Sequence, residues 1–315
     1  MNPAYSVIFF TTASGAGYGA IIWLVVLALL GIVPLTPALG IAVFVVSLAL
    51  VTAGLLSSTF HLGHPERAWR ALSQWHSSWL SREGVAAIAT YVPVLVFAVG
   101  SLFFTTYNSV WSWAGLIGAG LCVVTVACTG MIYASLQAIP RWCMPIVMPL
   151  YIAFALASGA VLLIAVASFF WITPGVLAWF AAIVLLATWA AKVVYWRQID
   201  NAAPTATAES ATGLGDIGQV RLLESPHSSD NYVMREMGYR IARKHAARLR
   251  KIALVVGGVA AAFALVIAGI MPAPYATIAS CVALVAMAIG VLIERWLFFA
   301  EARHASSLYY GASEV

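Results

Sequence analysis

The chain has 315 residues, of which 63% are hydrophobic and 9% charged, and its mean hydropathy is +0.96. Those values exclude a soluble globule of this length and leave a chain embedded in a membrane. The net charge of +5, from 16 basic against 11 acidic residues, reads as a topology signal and not as a nucleic-acid footprint.

Apolar stretches run over 7–33, 38–60, 84–104, 110–137, 145–170, 174–196, 252–271 and 275–298. Each is near the ~20 residues that a helix needs to cross the hydrocarbon core. Backbone groups in lipid must be satisfied within the segment, so such runs mean helices. The short alternating segments of a barrel are missing. The first ten residues carry no Lys or Arg, so the opening stretch does not read as a cleavable signal peptide. The expected fold is an all-α integral membrane protein of eight transmembrane helices. These would form two four-helix halves, with a cytoplasmic loop containing an amphipathic helix. The divisions fall at 1–196 (six spans and polar segment 61–83), 197–250 (linker and basic helix) and 251–315 (two spans and a tail).

Every charged residue falls at one end of these spans, with all six histidines, while the connections at 34–37, 105–109, 171–173 and 272–274 hold no Asp, Glu, Lys or Arg. The positive-inside rule puts the charged end in the cytoplasm. An even span count then puts both termini there, in a bacterial inner membrane. Lys192, Glu294 and Arg295 lie near span ends, where they are expected to snorkel to water.

Two polar segments interrupt the spans. Residues 61–83 carry Trp69, Trp75 and Trp79, which suit a segment at the headgroup level. Residues 197–250 open with small and polar residues typical of a linker. They end with Val233, Met237 and Ile241 at a four-residue spacing beside Arg235, Arg240, Arg243, Lys244 and Arg248. That is a basic amphipathic helix, lying on membrane lipid or docking a partner.

Several chemistries are excluded or reduced. Cys122, Cys128, Cys143 and Cys281 have no CxxC spacing, so no iron–sulfur cluster and no other metal site is expected here. They read as small packing thiols. No His lies mid-span, so the transmembrane pair for a b-type haem is missing; ligation at the rim by His61, His64 or His304 is the alternative. A secondary transporter usually places ionisable groups near the midplane, and no such placement is legible. Pro93, Pro145 and Pro149 could unwind a helix locally. Gly15 and Gly19 read as a close helix contact.

The remaining chemistry gathers where the second span meets segment 61–83. His61, His64, Arg67 and Glu83 bring imidazole, guanidinium and carboxylate to the boundary. A quinone suits that combination: its ring and tail take an apolar groove, its oxygens need hydrogen-bond partners, and its protons need a titratable group. His61 is the candidate partner of a quinone oxygen and Glu83 the proton carrier, with His61 assisting; Arg67 would pair with Glu83 or polarise the head. Tyr133, Gln137, Arg141 and Trp142 are further candidates. The plainer readings are that Glu83 favours a helix N-terminus, Gly63 and Pro65 shape a turn, and Arg67 marks topology.

At these residues the chain resembles the membrane anchor subunits of the dimethyl sulfoxide reductase type. The motif is His61-Leu62-Gly63-x-Pro65-x-Arg67-Ala68, followed by Leu80-Ser81-x-Glu83. The resemblance implies that His61, Gly63, Arg67 and Glu83 bind quinol. It also implies a molybdopterin catalytic subunit, a ferredoxin-like iron–sulfur subunit docked on the cytoplasmic face, and no catalytic residue in this chain. His64, the Trp-rich loop, the 197–250 insertion and the ending ERWLFFAEA-x-H are most similar to anchors of cytoplasmic sulfite:quinone oxidoreductases. The implied function is to pass electrons from sulfite to ubiquinone or menaquinone; the reverse flow, to an S-oxide or N-oxide, is the alternative.

Overall fold

The computed structural model describes residues 3–61, 63–103, 110–170, 175–224 and 241–315, without the side chains of 61 and 241–244. In chain order the elements are α1 (Tyr5–Leu29), α2 (Pro37–Ser57), α3 (Trp79–Phe103), α4 (Val110–Ala134), α5 (Val147–Ser168) and α6 (Gly175–Asn201). A short surface helix, α7 (Ala208–Thr212), precedes α8 (Ile241–Ala253), a π-helical turn Leu254–Ala260, α9 (Ala261–Ile270) and α10 (Tyr275–Ala300). Two 3₁₀ segments, Ser58–His61 and Pro65–Gln74, lie between α2 and α3. The described residues hold eight helices long and apolar enough to cross a membrane, the seventh running from His245 to Ile270 through the π turn. The protein is an all-α membrane protein.

Packing places α1 and α5 at the centre. Their apolar windows are 61% and 78% buried, against 33–50% for the other spans. Lipid supplies no hydrophobic drive between helices, so close approach depends on small residues. Gly19 and Gly159 carry it here. A Cβ on Gly19 would lie 1.8 Å from the Ala155 carbonyl oxygen, and one on Gly159 would lie 2.1 Å from the Gly19 carbonyl carbon. The expected contact at Gly15 and Gly19 is therefore real, and Gly19 is the critical member. Trp23 Nε1 donates to Leu156 O at 2.8 Å across the same interface. At the seventh span, the π turn brings Gly257 against Gly290 of α10, where an added Cβ would lie 2.3–2.6 Å from backbone.

Proline does not unwind the spans. Pro93 sits within continuous α3, and Pro149 lies in the first turn of α5, where a missing N–H breaks no helical bond. Segment 65–78 is clasped onto α3. The Ser81 hydroxyl donates to Ala71 O, and Arg82 donates to Trp75 O at 2.9 Å and His76 O at 2.6 Å. Trp69 and Trp75 are left exposed.

The linker is partly ordered against the tail: Thr205 N donates to Val315 O at 2.9 Å and Ala208 N to Ser313 O at 3.0 Å. The basic helix differs from the expectation in one respect. Its described part, α8, is continuous with the seventh span and is not a separate surface element. Arg250 of α8 is bound by Asp200 (2.5 Å) and Glu301 (2.9 Å). Val233, Arg235, Met237 and Arg240 lie outside the described residues, as do the side chains of Ile241, Arg243 and Lys244.

Candidate functional site

The motif residues separate into an outer and an inner group. Outside, His64 Nδ1 lies 3.0 Å from Glu66 Oε1, and Arg67 Nε lies 3.8 Å from the same oxygen. All three side chains are well exposed. Glu66, passed over in the sequence, is thus the carboxylate that Arg67 faces, and Glu83 is not. Gly63 stands in open space: a Cβ there would meet nothing within 4 Å. His61 ends the Ser58–His61 turn, and its side chain lies outside the described set.

Inside, Glu83 is 4% exposed, on the face of α3 that packs against α4. The Thr129 hydroxyl donates to its carboxyl. That hydroxyl also lies 3.1 Å from Thr125 O, and Thr125 Oγ1 lies 3.3 Å from Thr90 Oγ1. A polar seam therefore runs from Glu83 between two apolar helices. The Tyr18 hydroxyl of α1 is buried without a hydrogen-bond partner among the described residues. Among the described contacts no cation faces the Glu83 carboxyl. A buried carboxyl with a hydroxyl partner and no opposing cation is suited to carrying a proton. The seam is visible in outline along the chain, because Glu83 and Thr90 are seven apart and Thr125 and Thr129 four apart, spacings that place each pair on one helix face.

A second charged group overturns the snorkelling expectation. Lys192, Glu294 and Arg295 are only 1%, 0% and 3% exposed. Lys192 Nζ and Arg295 Nε each approach Glu294 at 2.5 Å. Pairing across α6 and α10 replaces the water that a snorkelling head would seek. Aromatic faces enclose both cations: Lys192 lies 4.1 Å from the Tyr195 ring centre and Arg295 4.1 Å from that of Tyr151. Tyr133 stacks on Tyr151 at 5.7 Å, and Trp142 Nε1 donates to Phe298 O. Of the further candidates, Tyr133 and Trp142 thus belong to this aromatic core. Arg141 donates to Glu301 O at 3.1 Å, and burial and neighbouring arginines hold its pKa below the ordinary value. Gln137 lies exposed in a turn.

No group of three His, Cys, Asp or Glu side chains arranged to hold a metal occurs among the described residues. Cys122 and Cys128 are buried, and Cys143 is exposed.

Residues 1–311 match the family of DMSO reductase anchor subunits (DmsC). The chain belongs to this family. The anchor is also 30% identical to a sulfite dehydrogenase subunit of Allochromatium vinosum, over 98% of this chain and 99% of that one. Membership makes it a membrane anchor subunit, and the relative is a subunit of an oxidoreductase. The match spans all eight transmembrane helices of the anchor.

Proposed function

We propose that this anchor holds a quinone at its charged end and delivers to it electrons drawn from sulfite. In this reading a molybdopterin subunit oxidises sulfite in the cytoplasm. A ferredoxin-like iron–sulfur subunit, docked on the charged face, carries the electrons to the anchor. The orientation follows from the Lys and Arg gathered at that end. A bound quinone would accept two electrons and two protons per turnover.

The observation that carries the reading is the buried Glu83 carboxyl, bonded to Thr129 at the head of a polar seam. It lies on α3 two residues past Ser81, whose hydroxyl holds Ala71 of the loop that also carries the exposed His64, Arg67 and open Gly63. The loop residues offer donors to a ring oxygen, Gly63 leaves room for a ring to approach the backbone, and Glu83 supplies protons from the apolar side. Sulfite, as against an S-oxide, is favoured by the similarity to a sulfite dehydrogenase subunit along nearly the whole of both chains.

The test uses the intact complex, with His61→Ala and Glu83→Gln. Sulfite-driven quinone reduction is expected to fall by about 100-fold, the scale of losing a general acid–base group. Sulfite-driven reduction of ferricyanide, which bypasses the anchor, should persist. Full quinone reduction in both variants would refute the site.

A further inference from the structure

Arg295 has more donors than the protein occupies. Its Nε is held by Glu294, yet Nη1 is buried with no hydrogen-bond partner. The Tyr151 hydroxyl is likewise buried and unpartnered, although the Arg295 guanidinium lies over its ring at 4.1 Å. Both residues border a cavity of about 10 Å³ between α1, α5 and α10, whose other polar walls are Thr11, Thr12 and Ser158. A space of about 10–15 Å³ holds one water molecule.

The chemistry of the walls selects the occupant. The Thr12 hydroxyl lies 2.9 Å from Ile8 O, Thr11 3.0 Å from Val7 O and Ser158 2.6 Å from Phe154 O. Each hydroxyl has one hydrogen, and its own helix takes it. Only lone pairs remain for the cavity, facing an N–H donor on the far side. An anion has no hydrogen to offer the lone pairs, and a cation is repelled by Arg295. Water satisfies both walls.

We propose that this cavity binds one water molecule between Arg295, Tyr151 and the hydroxyls of Thr12 and Ser158, and that it is the entry point for protons bound for Glu83. The second half of the proposal rests on the quinone reading above. Thr12 lies two turns into α1 from the charged end, so solvent there is about 10 Å away at 1.5 Å per residue. Tyr151 stacks on Tyr133 at 5.7 Å, and Tyr133 lies one helical turn beyond Thr129 on α4, the residue whose hydroxyl donates to Glu83. One proton enters from solvent for each that Glu83 releases. The water and the phenols each accept a hydrogen as they pass one on, and so return to their starting state.

Tyr151→Phe is the discriminating variant. It keeps the ring contacts to Tyr133 and Arg295 and deletes only the hydroxyl, so a purely structural role predicts no change. In the intact complex, quinone reduction should fall about tenfold or more, with a larger slowing in D₂O than the native complex shows. Ferricyanide reduction and the yield of assembled complex should be unchanged. A native quinone rate and isotope ratio in Tyr151→Phe would overturn the proton route. Should that variant not assemble, Ser158→Val, which fills the cavity, carries the same test. A density map of the intact complex with no peak near Arg295 Nη1 would overturn the water itself. If the native complex reduces ferricyanide but no quinone, the quinone reading fails first and the proton route falls with it, while the water is still judged by the map.

Discussion

Lys192 and Glu294 meet at 2.5 Å between α6 and α10, both sealed from solvent. With Arg295 on the other carboxylate oxygen, two cations share one anion inside the bundle. The imbalance predicts an unequal response to mutation. Glu294→Gln leaves two buried cations facing each other and should cost about 3–5 kcal/mol. Lys192→Met leaves the Glu294–Arg295 pair neutral and should cost about half that or less. Thermal unfolding of the purified complex ranks the two, and equal losses would contradict the charge argument.

The Gly19–Gly159 crossing sets the distance between the two central helices. Gly19→Ala places a methyl carbon on the Ala155 carbonyl, and only backbone movement relieves it. The expected cost is at least the ~1–3 kcal/mol of overpacking. Gly120→Ala, where a Cβ meets nothing within 4 Å, is the matched control. Recovery from the membrane and the unfolding temperature should separate them.

Among the described residues, Thr129 supplies the one hydroxyl on the Glu83 carboxyl. Thr129→Val keeps the shape but strands that carboxyl, at about 1–3 kcal/mol for a buried polar group left unpaired. On the proposed function it also slows quinone reduction. Thr129→Ser, which restores the hydroxyl, should recover both. A valine variant with a native rate would remove Thr129 from the proton path.

Glu66 competes with any ligand for His64 and Arg67. These are exposed contacts worth at most about 1 kcal/mol, so Glu66→Gln should leave stability unchanged. It should free both donors and lower the KM for quinone by up to about fivefold, the equivalent of ~1 kcal/mol. An unchanged KM would mean that the outer group does not touch the quinone.

The spans are legible in the sequence because lipid tolerates little but apolar helix, and α5 and α10 lie within two residues of the expected limits. Hydropathy misjudges the end of α1. Residues 30–33 are apolar but form a turn, and Gly31, at φ 68°, is the local signal that marks the stop. Glu83 is identifiable by type and position, but Arg67 is the wrong partner for it, because a facing helix is invisible to spacing along the chain. The ion cluster is illegible for the same reason. Lys192 and Glu294 belong to different spans, and each taken alone resembles a charge reaching for water. Only their packing turns them into a pair.

The mute face of the bundle has an electrical consequence. Carrying one elementary charge against about 100 mV takes about 2.3 kcal/mol, and a coupled machine needs titratable groups with access to both compartments. Here Glu83 and the inner ion cluster lie toward one end, and the opposite connections at 34–37 and 272–274 carry no Asp, Glu, Lys or Arg. On the proposed function electrons and protons arrive from the same side, and their charges cancel. Turnover should then be electrically silent, proceeding at the same speed in energised and in leaky vesicles.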